Sequence, residues 1–183
     1  MKTIFLLLTT IAMLSSCGVK VPYTTQLRDE FGLDSKEKLS KVQFFTSTTI
    51  ILDEERKVDA SNTTQNGTLV SSSNSSKESI IIPAGTKCVF ESFGEQSNLL
   101  VRFETGKNKV IPFQVRSGGV SSAKRYFFDV NWGGGSPILK YGDKEYKVRL
   151  NTTSDPRNAY LQVVKKRLSK TKRKERVVKG MKV

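Results

Sequence analysis

The chain has no histidine. That removes Ser-His and Cys-His nucleophile pairs, HExxH metal sites and every imidazole general base. Chemistry would have to come from carboxylates, from two cysteines or from backbone loops. A glycosidase-like pair needs two carboxylates about 5–10 Å apart in a cleft. Glu91, Glu95, Glu104, Asp129 and Glu145 are instead spread singly along strands and turns, and Asp53-Glu54-Glu55 reads as a solvated cluster at a strand end. No spacing of oxygen ligands resembles an EF-hand loop. Gly133-Gly134-Gly135 could cradle phosphate only ahead of a helix N-terminus or a Lys-Ser/Thr pair. Ser136-Pro137 and a strand pattern follow it, so it reads as a hairpin or bulge loop, as does Gly118-Gly119. The sequence calls for no metal, no cofactor and no catalytic residue, although a carboxylate-only hydrolase stays open as a minor alternative.

The cysteines are more informative. Cys17 follows Met1-Lys2-Thr3, an apolar run from Ile4 to Leu14, and Ser15-Ser16. A positive start, a short apolar core and small residues before a cut describe a secretory signal. The run is too short for a bilayer core, which needs about 20 residues. Leu14-Ser15-Ser16-Cys17 resembles the lipobox of bacterial lipoproteins. That resemblance implies diacylglycerol transfer to the Cys17 thiol, removal of residues 1–16 and acylation of the new amine. Gly18 follows, with no Asp, which by the same resemblance implies the outer membrane. The lack of an acidic cluster over Gly18 to Pro22 implies a periplasm-facing protein.

Cys88 is then the remaining thiol, and a lone Cys cannot form an internal disulfide. The alternation Thr86-Lys87-Cys88-Val89-Phe90 puts it on the face of Phe90, as a buried and inert side chain.

The other strong signal is charge. The 183 residues hold 31 Lys+Arg against 17 Asp+Glu, a formal +14. Ten of the basic residues (Lys165, Lys166, Arg167, Lys170, Lys172, Arg173, Lys174, Arg176, Lys179 and Lys182) lie between 165 and 183, with Glu175 the lone acid. This segment carries +9, and residues 18–164 only +4. A block of like charge is usually a solvated interaction tail. In the cytosol it would suggest nucleic acid; behind an export signal the available polyanions are anionic lipid, lipopolysaccharide and peptidoglycan, and no nucleic acid is expected.

The elements that must carry these features are mostly strands. Thr25 to Phe31 predicts a short helix with Gly32 just past its end, and Asp34 or Ser35 can cap a second over 36–41. From Val42 onward, β-branched and aromatic runs predict a series of short strands. They cover Val42–Phe45, Thr48–Leu52, Ile80–Ile82, Lys87–Phe93, Leu99–Glu104, Val110–Val115, Tyr126–Trp132, Ile138–Tyr141, Glu145–Leu150 and Ala159–Val164. The three from Lys87 to Val115 form a β-meander. Ala60 to Ser76 can bury almost nothing and reads as a loop, its Asn-x-Ser/Thr triplets reflecting composition. Adjacent rings at Phe44-Phe45 and Phe127-Phe128 should point to opposite sheet faces, the outward ones covered by the N-terminal helices.

Ile82-Pro83-Ala84-Gly85-Thr86, followed by alternating strands, resembles in pattern the small SH3-like barrels of bacterial envelope proteins. The expected architecture is mainly β: a barrel or sandwich of short antiparallel strands with one or two short N-terminal helices and a basic tail. The expected organisation is a signal over 1–16, a lipid-anchored tether over 17–24, a β-rich domain over 25–164 and the tail over 165–183. Functionally this describes a non-enzymatic envelope lipoprotein whose tail meets an anionic surface. The alternative is an accessory subunit of a secretion or motility complex, docking a protein partner.

Overall fold

Alternating apolar and polar residues from Gln43 onward give strands with one buried face, and in a computed structural model they form two antiparallel sheets around a shared core. The structure describes residues 18–54, 64–65, 68–69, 78–116, 124–150 and 155–168. The expected loop over 60–76 lies outside these, apart from the backbone of two short paired strands, β4 (Thr64–Gln65) and β5 (Thr68–Leu69).

The larger sheet has seven strands. In spatial order they are β1 (Lys20–Pro22), β13 (Leu161–Val164), β2 (Gln43–Thr46), β7 (Lys87–Phe93), β8 (Leu99–Arg102), β9 (Ile111–Arg116) and β10 (Arg125–Phe128). The meander expected between Lys87 and Val115 is present as β7, β8 and β9. Its inward residues are Cys88, Phe90, Leu99, Val101, Ile111 and Phe113, all buried. The smaller sheet runs β11 (Ile138–Tyr141), β12 (Lys144–Val148), β3 (Ile50–Glu54) and β6 (Ser79–Ile82). It buries Ile50, Leu52, Ile82, Leu139, Tyr141, Tyr146 and Val148.

One bent ribbon joins the sheets. β2 pairs with β7 through Phe45 opposite Lys87, and β3 pairs with β6 through Ile50 opposite Ile82, with no change of register between them. The bend falls where Thr46 to Thr49 faces Pro83 to Thr86. Pro83 has no N–H to give a ladder, and Gly85 sits at φ +79°, a left-handed conformation that glycine adopts without strain. The Gly85 N–H donates to the Thr46 carbonyl at 2.7 Å, and the Thr46 N–H donates to the Thr86 carbonyl at 3.1 Å. The strand expected over 126–132 stops at Phe128. Beyond it Gly134 and Gly135 take φ of +105° and +108° in the loop that carries the chain to β11.

The ends of the large sheet approach one another without forming a continuous ladder. Among the described residues, isolated bridges, Thr24 with Arg125 and Phe127 with Tyr160, join β10 to the chain beside β1 and β13. Of the two expected architectures, barrel or sandwich, the described strands therefore make two sheets and no closed barrel.

The helices follow the sequence. In α1 (Thr25–Glu30) the Thr24 hydroxyl accepts from the Leu27 N–H at 3.1 Å, and Gly32 beyond the helix has φ +58°. Ser35 is the N-cap of α2 (Lys36–Leu39). Leu27, Phe31, Leu33, Leu39 and Val42 from this region are buried in the common core. The outward rings of the two adjacent pairs each lie beneath a cation. Phe45, buried outside the main core cluster, lies under the Lys20 ammonium, 4.4 Å from the ring centre. Phe127 stays half-buried, 5.9 Å from the Tyr160 ring and beneath the Arg116 guanidinium.

Two boundaries also differ. Residues 20–22, expected within a tether, are strand β1, because Lys20, Val21 and Pro22 pair with Val164, Val163 and Gln162 on the free edge of β13. Pro22 is tolerated there because β1 is itself an edge strand. At the other end Lys165–Leu168 form one helical turn, α3, with Leu168 buried, so the basic segment begins inside the domain.

Among the described residues, the Tyr23 hydroxyl is one of several buried polar atoms without a hydrogen-bond partner. Tyr23 is fully buried and stacks on Tyr126 with ring centres 4.9 Å apart, yet its hydroxyl has no hydrogen-bond partner. The Arg28 guanidinium donates instead to the Tyr126 hydroxyl at 3.1 Å. An unsatisfied buried hydroxyl costs about 1–3 kcal/mol. Tyr23→Phe, which keeps the ring, is therefore expected to stabilise the fold by about 1 kcal/mol in urea unfolding. A loss of stability would show that the hydroxyl is satisfied.

Candidate functional site

Strand pairing places the residues that could engage a membrane or other anionic surface. β1 and β13 run antiparallel with Lys20 opposite Val164, so the first described residue and the start of the basic segment leave at the same pole. Gly18 lies against Val164 so closely that an added Cβ would strike that side chain. In α3, Leu168 turns inward while Lys165, Lys166 and Arg167 are exposed. Lys165 reaches Glu30 of α1 at 3.4 Å and stands 5.9 Å from the Phe31 ring centre. Of the sequence-predicted surface residues, then, three are positioned by the fold. Cys17, Lys170, Lys172, Arg173, Lys174, Arg176, Lys179 and Lys182 lie outside the described residues.

Several of the scattered carboxylates pair with cations or an amide. Glu91 pairs with Arg102 across β7 and β8 at 2.7 Å, and Asp129 accepts from the Asn98 amide at 3.3 Å. Asp53 on β3 pairs with Arg149. Among the described residues no group of three or more acids and cysteines could hold a metal ion.

A cleft of about 360 Å³ opens beside the turn between β11 and β12, lined in part by Glu78, Glu104, Lys109, Tyr141, Lys144 and Tyr146. Lys109 donates to Glu104 at 2.7 Å and the Tyr141 hydroxyl donates to the same oxygen at 3.2 Å. Lys144 meets Glu78 at 2.9 Å and Glu54 at 3.1 Å. The Lys109 ammonium holds the Glu104 carboxyl below its ordinary range, while burial pushes the Tyr141 hydroxyl up. A general acid needs a raised carboxyl pKa, so Glu104 is shifted in the opposite direction. The cleft is a surface network of ion pairs that can offer polar contacts to a ligand.

Sequence reasoning missed this cleft and also a seam of stacked guanidinium groups. Arg116 lies 4.9 Å from the centre of Phe127, Arg125 5.1 Å from Tyr160 and Arg157 5.9 Å from Trp132. Arg116 also donates to the Phe128 and Arg157 carbonyls, at 3.0 and 2.9 Å, tying the segment before β13 to β10. Residues 41 positions apart meet there, so no local signal in the sequence could have found the contact.

Cys88 is 2% exposed, and burial pushes its thiol well above the ordinary range. Thiolate is the reactive form, so this side chain packs, as its alternation with Phe90 indicates.

The site and fold together define a class no finer than a small two-sheet antiparallel β protein whose described domain begins and ends at one cationic pole. Comparison of the chain with family models, curated proteins and solved structures returned no match.

Proposed function

We propose that this protein is a bacterial envelope lipoprotein, anchored through acylated Cys17 to the outer membrane and facing the periplasm. In this reading the β domain is a non-enzymatic binding or structural module, and the basic tail contacts an anionic component of the envelope. The observation that carries it is the position of Cys17, immediately behind an apolar run from Ile4 to Leu14 and two small residues. Strand β1 begins at Lys20, three positions after that cysteine, which is compatible with a domain held close to a membrane surface. Among the described residues no helix is long and apolar enough to cross a membrane; in this reading acyl chains on Cys17 supply the attachment.

Mass spectrometry of the N-terminal peptide from the membrane fraction tests this. The expected species begins at Cys17 and carries diacylglycerol on sulfur and an acyl group on its amine. A peptide that retains residues 1–16, or an unmodified Cys17, overturns the reading.

A second reading, an accessory subunit of a secretion or motility complex, draws on the outer face of the small sheet. There Ile81 and Ile138 are 60% and 54% exposed. Stoichiometric partners retained through detergent purification would favour it over the lone module.

A further inference from the structure

We propose that the opposed arginines of β9 and β10, Arg116 and Arg125, form a binding site for a doubly charged oxyanion of the phosphate type. The site uses neither Cys17 nor the basic tail, so it does not depend on lipid attachment.

Strand register carries the argument. Arg116 and Arg125 stand directly opposite each other where β9 pairs with β10. Opposite residues of an antiparallel pair project from the same sheet face with Cβ atoms about 5 Å apart, and like charges there destabilise the sheet. No acid offsets this pair: among the described residues neither guanidinium has a carboxylate within ion-pair distance. Asp129, whose field reaches Arg116, makes no ion pair with it and accepts from the Asn98 amide instead. Residues 117–123, which connect the two strands in sequence, contain no Asp or Glu.

Both side chains are nevertheless held in place. Arg116 lies over Phe127 and Arg125 over Tyr160, and the two rings meet edge to face with centres 5.9 Å apart. A ring covers one face of a guanidinium and leaves its in-plane N–H donors to a ligand. Arg116 commits one terminal nitrogen to the Phe128 and Arg157 carbonyls, whereas the Arg125 guanidinium makes no hydrogen bond among the described residues. Burial draws the Arg116 pKa below its ordinary range, because its charge is only partly solvated. An anion would compensate it. Arg157, stacked on Trp132, adds a third cation beside Arg116. Arg116 and Arg125 are half-buried, so a ligand reaches them from solvent. Two opposed cations call for a divalent counter-charge, and a tetrahedral phosphoryl group has oxygens enough for both guanidinium forks. A single carboxylate would neutralise one arginine and leave the other.

The test titrates inorganic phosphate, sulfate and acetate into the full chain in neutral detergent at constant ionic strength, following backbone amide and arginine Nε–H resonances by NMR. Phosphate and sulfate should shift the resonances of Arg116, Arg125 and Phe127 saturably, and acetate should bind there at least about tenfold more weakly. Arg125→Gln should weaken phosphate binding at these positions at least about tenfold, and Arg125→Lys, which keeps the charge without the fork, by less. The tail is the same in all three chains, so its own attraction for anions cancels in the comparison. Urea unfolding gives a second readout: phosphate should raise the midpoint of the parent chain more than that of Arg125→Gln. Shifts confined to residues 165–183, or equal phosphate affinity in the parent and Arg125→Gln, would overturn the proposal. Acetate binding as tightly as phosphate would overturn it in favour of a carboxylate ligand.

Discussion

A Cys17→Ser chain exported behind a cleavable leader is expected to lose at least about 10⁴-fold in membrane partitioning and to appear in the soluble envelope fraction. A single myristoyl chain already gives a partition constant of about 10⁴ M⁻¹, and each further buried CH₂ adds about 0.8 kcal/mol. The proposed anchor carries several chains, so its removal outweighs what the tail can retain. Each basic residue near an anionic surface contributes about 1 kcal/mol, and salt screens that contribution. The residual binding of the Cys17→Ser chain should therefore disappear in a high-salt wash, whereas the acylated protein should stay with the membrane. Fractionation with and without salt reads both effects. Salt-resistant retention of the Cys17→Ser chain would show that something other than lipid on this sulfur holds the protein to the membrane.

Phe128→Ala carries the largest expected cost to the fold, about 3–5 kcal/mol. Phe128 is fully buried on β10, with ring centres 6.0 Å from Phe113 and 5.7 Å from Trp132. Its N–H also donates to the Ala159 carbonyl at 2.8 Å, where the end of the large sheet approaches the segment before β13. Truncation opens a cavity among aromatic rings, in a region where isolated bridges rather than a ladder hold the backbone. A domain of this size is typically stable by about 5–15 kcal/mol, so the variant should unfold at a much lower urea concentration. A loss below about 1 kcal/mol would mean that the surrounding rings collapse into the space. Tyr23→Phe, whose expected effect is opposite in sign and smaller, serves as a control in the same core.

The chemistry expected of individual residues was legible where it depended on near neighbours in the chain. Cys88 and Phe90 share a face because strand side chains alternate, and both are buried. Gly32 takes positive φ because it follows a short helix, and Gly134 and Gly135 do so in a loop marked by its composition. The ion pairs of the cleft were not legible. Lys144 and Glu78 are 66 residues apart, and Lys109 meets Glu104 beside Tyr141 because β11 and β12 pack near the turn after β8.

What the sequence determined by itself was the strand-rich core, the two short helices, the buried Cys88 and the concentration of positive charge after Val164. Each follows from local periodicity, capping or composition, which act over a few residues. The tertiary structure decided that Lys20–Pro22 is a strand rather than a tether, that the long ribbon bends from one sheet into the other, and that both ends of the domain leave at one pole. Those outcomes depend on which edge strand finds which partner. A three-residue segment such as Lys20–Pro22 has too little intrinsic preference to form a strand alone, and gains one only when the free edge of β13 supplies the hydrogen bonds.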